Sequence, residues 1–230
     1  MNLPTEIVNN GKFKVEILVG DTPIGTTIKA GYEWDGWMRR DLDNFYRKGS
    51  DIIDVGGNIG YNTLMFSEYG NVHTFEPLFH EILNRNVKNN ILKHSAHVYP
   101  YALGEKNIFS SIFFPKTFPN GSMDFGKVSM KPTANHSNMS KPVEVKRLDL
   151  VYRGIPSFMK IDVEGCEFEV LKGSERILKS FFPTIMIKIE NIQESEIPKY
   201  LLDLGYKFVH PRPDFMYAFS LKNWDHVSIE

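Results

Sequence analysis

With 230 residues, 42% of them hydrophobic and 13% aromatic, the chain can bury one substantial core and needs no second domain. Its 27 Lys and Arg offset 28 Asp and Glu, which excludes the broad positive field that would hold nucleic acid or an anionic membrane surface. No stretch approaches the roughly 20 apolar residues of a membrane span. The start Met1-Asn2-Leu3-Pro4-Thr5-Glu6 lacks the features of a signal peptide, and the single cysteine, Cys166, has no partner for an internal disulfide, so a reducing, cytoplasmic setting is expected.

Residues 12–19 and 23–29 cluster β-formers around Gly20-Asp21 and predict a short N-terminal hairpin. From Trp34 the apolar residues Trp37, Met38, Leu42, Phe45 and Tyr46 follow at helical spacing, with Arg39, Arg40, Asp43 and Arg47 opposite, which predicts an amphipathic helix and completes an N-terminal unit over 1–48. Strand-like runs at 51–55, 71–75 and 96–101 then alternate with helical spacing over 60–69 and 78–92. That rhythm predicts a parallel sheet with right-handed crossovers. It breaks from Gly104 to Pro142, where an insertion over 105–141 is expected to hold short strands at 107–114 and 125–130 and to shape an acceptor site. The alternation resumes with strands at 158–163 and 184–190 and helices at 166–180 and 194–204. Two closing strands, near 206–210 and 215–220, flank Pro211-Arg212-Pro213-Asp214 and predict an antiparallel edge hairpin. The whole chain, 1–230, is expected to form one α/β domain.

The run Asp51-Ile52-Ile53-Asp54-Val55-Gly56-Gly57-Asn58-Ile59-Gly60 is a buried strand entering a glycine-rich turn that opens a helix. Glycines there allow a sharp turn and close approach of a ligand to the backbone; a purely structural turn is the alternative. The spacing is Asp-x-Gly-x-Asn-x-Gly, not the Gly-x-Gly-x-x-Gly that seats a dinucleotide pyrophosphate. An acidic residue at that strand tip suits a cationic ligand such as a sulfonium with an amino group. A second strand, Asn71-Val72-His73-Thr74-Phe75, ends at Glu76-Pro77, where a carboxylate can accept both hydroxyls of a ribose. Dinucleotide folds share that device, so Glu76 alone does not discriminate.

Taken together, Asp54-Val55-Gly56-Gly57-Asn58-Ile59-Gly60-Tyr61-Asn62-Thr63-Leu64, Phe75-Glu76-Pro77, Tyr101-Ala102-Leu103-Gly104, Lys160-Ile161-Asp162-Val163-Glu164-Gly165-Cys166-Glu167 and Leu171-Lys172-Gly173 resemble the FkbM-type methyltransferase family, in the family's order. The resemblance implies a class I methyltransferase fold: a Rossmann-like three-layer sandwich around a mostly parallel seven-stranded sheet with an antiparallel edge hairpin. It also implies S-adenosylmethionine as cofactor and O-methylation of glycans, polyketides or related hydroxyl compounds. By the same resemblance Asp54, Gly56, Asn58 and Gly60 line the methionine end, Glu76 and Pro77 the ribose, and Ala102 with Leu103 the adenine, while Glu33 lies in the stretch leading into the cofactor site, beside Trp34 and Trp37. Gly57 and Cys166 stand where the family usually has alanine, and Lys188 interrupts a normally apolar strand.

Methyl transfer to a hydroxyl requires alignment and a route for the proton, hence a base or a metal. Lys160, Asp162 and Glu164 alternate along one strand and share a face that opens at its carboxyl end. Asp162 is the preferred general base. Glu164 orients the acceptor, supports Asp162 or caps the next helix; Lys160 either keeps these carboxylates ionised or is a solvated strand residue. Met186, Lys188 and Glu190 share a face of the neighbouring strand, so Asp162, Glu164 and Glu190 are expected to converge, which a divalent metal would also require. The histidines show no zinc spacing, and Cys166 reads as a small buried residue. Phe113, Phe114 and Phe118 with Lys116, Lys127 and Lys131 suit a sugar, glycan or nucleotide-sugar acceptor. A NAD-dependent sugar oxidoreductase and an inactive binding module are the rivals, and a homodimer is left open.

Overall fold

Asn9, Asn10 and Gly11 turn the chain between β1 (Thr5–Asn9) and β2 (Lys14–Leu18), which pair antiparallel as a separate two-stranded sheet. Gly11 sits at φ +87°, and the Asn9 and Asn10 side chains accept from the amides of Gly11 and Phe13. The N-terminal hairpin therefore forms, but with its partner strand upstream of the expected one. Residues 23–29 hold instead the helix α1 (Ile24–Lys29). Asp21 accounts for this, because its carboxylate accepts from the amides of Gly25 and Phe125 and so satisfies a first-turn donor. The next helix, α2 (Met38–Phe45), starts four residues after Trp34 because Asp35 adopts φ +52°. This computed structural model describes residues 3–221. Met1 and Asn2, which belong to the stretch read above for signal-peptide features, and residues 222–230 lie outside the described residues.

From there the chain runs β3 (Asp51–Val55), α3 (Tyr61–Phe66), β4 (Asn71–Phe75), α4 (His80–Lys88), β5 (Ala96–Tyr99), β6 (Ala102–Leu103), β7 (Ile108–Pro115), β8 (His136–Lys146), α5 (Leu148–Val151), β9 (Pro156–Ile161), α6 (Glu167–Gly173), α7 (Glu175–Phe181), β10 (Thr184–Lys188), α8 (Ile197–Asp203), β11 (Phe208–Pro211) and β12 (Met216–Ser220). Seven strands form the main sheet in the order β11-β12-β10-β9-β3-β4-β5. β12 runs antiparallel to both its neighbours, and the other contacts in this sheet are parallel, as the class I methyltransferase architecture requires. The chain leaves β3 toward β4 on one side and returns to β9 on the other, so the switch point lies at the carboxyl ends of β3 and β9.

Two expectations change in detail. In the insertion, β7 forms where a strand was expected, but residues 125–127 make a 3₁₀ turn and the second strand is the later β8. Asp124 caps that turn by accepting from the Gly126 amide. β6, β8 and β7 form a separate three-stranded sheet. The single helix expected over 166–180 is broken into α6 and α7 at Ser174, whose hydroxyl bonds back to the Val170 carbonyl.

Strict alternation sends Ile52, Phe158 and Met186 into one apolar cluster with Leu64, Phe66 and Met38, and Ile53, Met159, Ile185 and Ile187 into another with Val170, Leu171, Leu178 and Leu201. The sheet is thus buried on both faces, which is why its strands read as apolar runs. The alternation also fixes polar side chains. Asp54 and Lys160 fall on the face of Ile52 and Phe158, and strand register places Thr74, Asp54, Lys160 and Met186 in one row across the sheet.

Candidate active site

Gly56 follows β3 at φ +82°, with its amide bonded to the Phe75 carbonyl, and a Cβ there would lie 2.0 Å from the Asp162 carbonyl oxygen. The turn can therefore pass beside the end of β9 only with glycine at this position. Around it opens a cavity of about 270 Å³ lined by Gly56, Gly57 and Asn58, by Lys160, Asp162, Glu164 and Lys188, and by Trp34, Asp35, Asn62 and Asp214. Asp35, Asn58, Glu164, Asp214 and Phe215 all line it with positive φ; among the described non-glycine residues only Phe182 shares that conformation elsewhere. Backbone strain concentrates at this one place, as it does at functional sites.

The charged side chains form a ladder from the core outward. Asp54 is fully buried, accepts from the Thr63 hydroxyl at 2.7 Å and lies 3.9 Å from Lys160 Nζ. Lys160, 3% exposed, also lies 3.7 Å from Asp162 Oδ2. Lys188 Nζ is 3.6 Å from Asp162 Oδ1 and donates to Glu164, whose other oxygen accepts from Lys127 at 3.0 Å. Burial opposes the charge on Lys160, but Asp162, Asp54 and Asp35 outweigh it and hold its pKa above the ordinary value. Burial likewise pushes against the Asp162 carboxylate, yet Lys160, Lys188 and Lys127 hold its pKa below 3.8. The stabilisation this gives is present above the unfolded value of 3.8 and is lost as pH falls through the lower folded value. For an activity that needs ionised Asp162, the acid limb of the pH profile is therefore expected below 3.8. Lys188→Met, which removes one of the cations, is expected to move that limb upward; an unmoved limb in kcat/KM against pH would detach Lys188 from Asp162.

A second cleft, about 60 Å³, adjoins the first and is lined by Val55, Gly56, Asn58, Glu76, Pro77, Ala102 and Leu103, together with Ile112, Val128 and Met130 of the insertion. The buried Glu76 carboxylate accepts from the amides of Leu78 and Phe79 on Oε1 and of Asn58 on Oε2. Room remains at Oε2 for one further donor, not for both hydroxyls of a ribose. Gly60 stays behind this surface, at φ +92° against Leu83, where it opens α3.

A third and larger space, about 920 Å³, meets the first at Lys127, Glu164 and Lys188 and runs between the insertion (Lys116, Phe118, Lys131, His136) and the segment after β10 (Glu190, Glu194, Glu196). Of the insertion residues expected to face an acceptor, Phe118, Lys116, Lys127 and Lys131 line this groove, whereas Phe114 is fully buried in the core.

Besides Gly60, three expected site residues are not brought to the cavity. Glu33 gives its carboxylate to Arg39 at 2.9 Å and Lys12 at 2.7 Å. Asp54 points at Thr63 beneath α3, one residue short of the turn, and reaches the cavity only through Lys160. Glu190 has a side chain 76% exposed because β10 ends at Lys188, so strand alternation no longer governs it. The three carboxylates accordingly do not meet at one point; Lys127, 3.7 Å from Glu190 and 3.0 Å from Glu164, and Lys188, between Glu164 and Asp162, bridge them, and among the described residues no group of three or more His, Cys, Asp or Glu could hold a metal ion. Asp162 and Glu164 both face Lys188 instead. Glu164 does not cap α6, whose N-cap is Cys166 with no side-chain cap; Glu167, the first helical residue, instead ties down the preceding turn by accepting from the amides of Val163 and Gly165.

Alternation and motif spacing gave no signal for Asp35 or Asp214, and Asn62 stood inside the glycine-turn motif with no role attached; tertiary packing brings all three to the cavity.

Comparison with known proteins bears on what this arrangement is. The family model described as the methyltransferase FkbM domain matches residues 54–208, about two thirds of the chain. The chain belongs to the FkbM methyltransferase family. A solved structure of a methyltransferase FkbM from Methylobacillus flagellatus KT has a similar fold, with a TM-score of 0.50 at 20% identity over 74% of this chain and 43% of that one. This chain thus spans less than half the length of that relative. No curated protein matches. Among the described residues no helix is long and apolar enough to cross a membrane.

Departures from the FkbM pattern have local causes. A Cβ on Gly57 would lie 2.2 Å from Thr74 Cγ2, so glycine accompanies the threonine that packs over it. Cys166 is buried ahead of α6, and burial pushes its thiol up to about 11, away from nucleophilic use. Lys188 ends its strand instead of interrupting it, so its ammonium leaves the apolar layer for the cavity.

Proposed function

We propose that this FkbM-family chain is an S-adenosylmethionine-dependent O-methyltransferase acting on a hydroxyl of a sugar, glycan or nucleotide-sugar, in a cytoplasmic setting. One observation carries the choice of cofactor. The cavity at the switch point sets five carboxylates (Asp35, Asp124, Asp162, Glu164 and Asp214) against three lysines beside a turn stripped of Cβ atoms. That balance favours a cationic ligand and opposes a pyrophosphate. The cofactor, when bound, supplies an electrophilic methyl group on a sulfonium.

Gly56 and Asn58 provide the backbone surface for its methionine end, with Gly60 holding the turn. Glu76, Pro77, Ala102 and Leu103 hold the nucleoside in the adjoining cleft. Asp162 stands where this cleft and the 270 Å³ cavity meet. Its carboxylate accepts the hydrogen bond of the acceptor hydroxyl, aligns that oxygen and takes the proton as the new bond forms. Because the flanking lysines depress its pKa, Asp162 is ionised throughout the neutral range; what it contributes is correct charge and placement more than basicity. Glu164, held between Lys127 and Lys188, forms the wall between this cavity and the large groove, whose Phe118 suits the face of a sugar ring and whose Asn191, Glu194 and Ser195 suit its hydroxyls.

The rival is an NAD-dependent oxidoreductase, and calorimetric titration separates the two. Binding of S-adenosylhomocysteine with no response to NAD is expected; tight NAD binding with no response to S-adenosylhomocysteine would overturn the proposal.

A further inference from the structure

Asn62 is 6% exposed and lines the 270 Å³ cavity. Its Nδ2 donates to Asp35 Oδ2 at 2.9 Å, while its Oδ1 is buried with no partner. A carboxylate only accepts, so Asp35 fixes which end of the amide is the donor and leaves the carbonyl as the unsatisfied end. An acceptor buried without a partner in a native chain calls for an explanation. Asp35 itself has no ion pair among the described residues, although Asp162 and Glu164, which line the same cavity, each face two lysines. Burial pushes the Asp35 pKa up, opposed by the Asn62 hydrogen bond and Lys160 and reinforced by Asp162 and Asp214. Such a carboxylate gains from a cation brought to it. Two neighbouring acceptors, one charged, match a primary ammonium, which carries three donors and no acceptor.

We propose that Asp35 and Asn62 Oδ1 form an ammonium-binding subsite, occupied by the α-amino group at the methionine end of the cofactor. The assignment rests on the methyltransferase function proposed above. Glu33, two residues upstream, cannot serve, because Arg39 and Lys12 already neutralise it.

Calorimetric titration of the full chain with S-adenosylhomocysteine, its deaminated analogue and 5′-methylthioadenosine tests this. The wild type is expected to bind S-adenosylhomocysteine about 10- to 100-fold more tightly than the deaminated analogue, the range of one charge-assisted hydrogen bond. Asp35→Asn is expected to weaken S-adenosylhomocysteine by a similar factor and to leave the deaminated analogue and 5′-methylthioadenosine unchanged. Equal wild-type affinity for S-adenosylhomocysteine and its deaminated analogue would overturn the subsite, and that comparison stands even where the variant fails to fold. So would an Asp35→Asn chain, folded by its melting curve, that binds all three as the wild type does, or one that loses all three equally, as an acceptor-amine or structural role would have it. A wild type that binds none of the three overturns the proposed function instead.

Discussion

Replacing Asp162 with asparagine is expected to lower kcat by roughly 10²- to 10⁴-fold, the range of a lost general base, while S-adenosylhomocysteine still binds. The side chain keeps its size, and the turn at Gly56 touches the Asp162 backbone, not its carboxylate, so the cofactor surface is preserved. What changes is charge. Lys160 and Lys188 lose the group between them, although Lys160 keeps Asp54 and Lys188 keeps Glu164. Single-turnover rates beside binding affinities separate the roles. A variant with wild-type turnover would end the assignment of Asp162 as base; one that loses binding and turnover together would make it structural.

Gly56→Ala is expected to act on both stability and binding. A side chain at φ +82° costs about 1–2 kcal/mol, and the added carbon would stand 2.0 Å from the Asp162 carbonyl oxygen, a backbone atom that cannot rotate away. Forced overpacking adds about 1–3 kcal/mol. Denaturant unfolding should therefore show a loss of about 2–5 kcal/mol, with weakened cofactor affinity because β3 and β9 must part at the switch point. Stability within about 0.5 kcal/mol of wild type would mean that the turn relaxes freely and that glycine is not required there.

How far sequence carried the account depended on whether alternation governed the residue concerned. Ile52, Ile53, Phe158 and Met159 lie inside strands whose existence the apolar runs made legible, and period two divides them between the two clusters. Asp162 and Glu164, expected along the same strand as Lys160, lie one and three residues past the end of β9 and reach Lys160 and Lys188 through the turn there, with Glu164 at φ +53°; alternation governs only the two lysines. It failed at Glu190, which lies two residues past the end of β10. Asp54 shows a subtler limit: its place at the strand tip was legible, but the face it takes, toward Thr63, follows from which side α3 packs on. Glu33 and Asp35 are separated by one residue, and nothing local tells which of them Arg39 will claim. In the insertion, Asp124 capping a 3₁₀ turn overrode the strand propensity of the residues around it. Long-range partners decided each of these cases, and single-chain patterns do not carry them.

The central claim, transfer of a methyl group to oxygen, is tested most directly by incubating the chain with methyl-labelled S-adenosylmethionine and a panel of sugars, glycans and nucleotide-sugars, then locating the label in the product. Label in a methyl ether on an acceptor hydroxyl, absent with Asp162→Asn, is the predicted result. Label found only on nitrogen or carbon, or no transfer to any hydroxyl-bearing acceptor by a chain that binds S-adenosylhomocysteine, would contradict it.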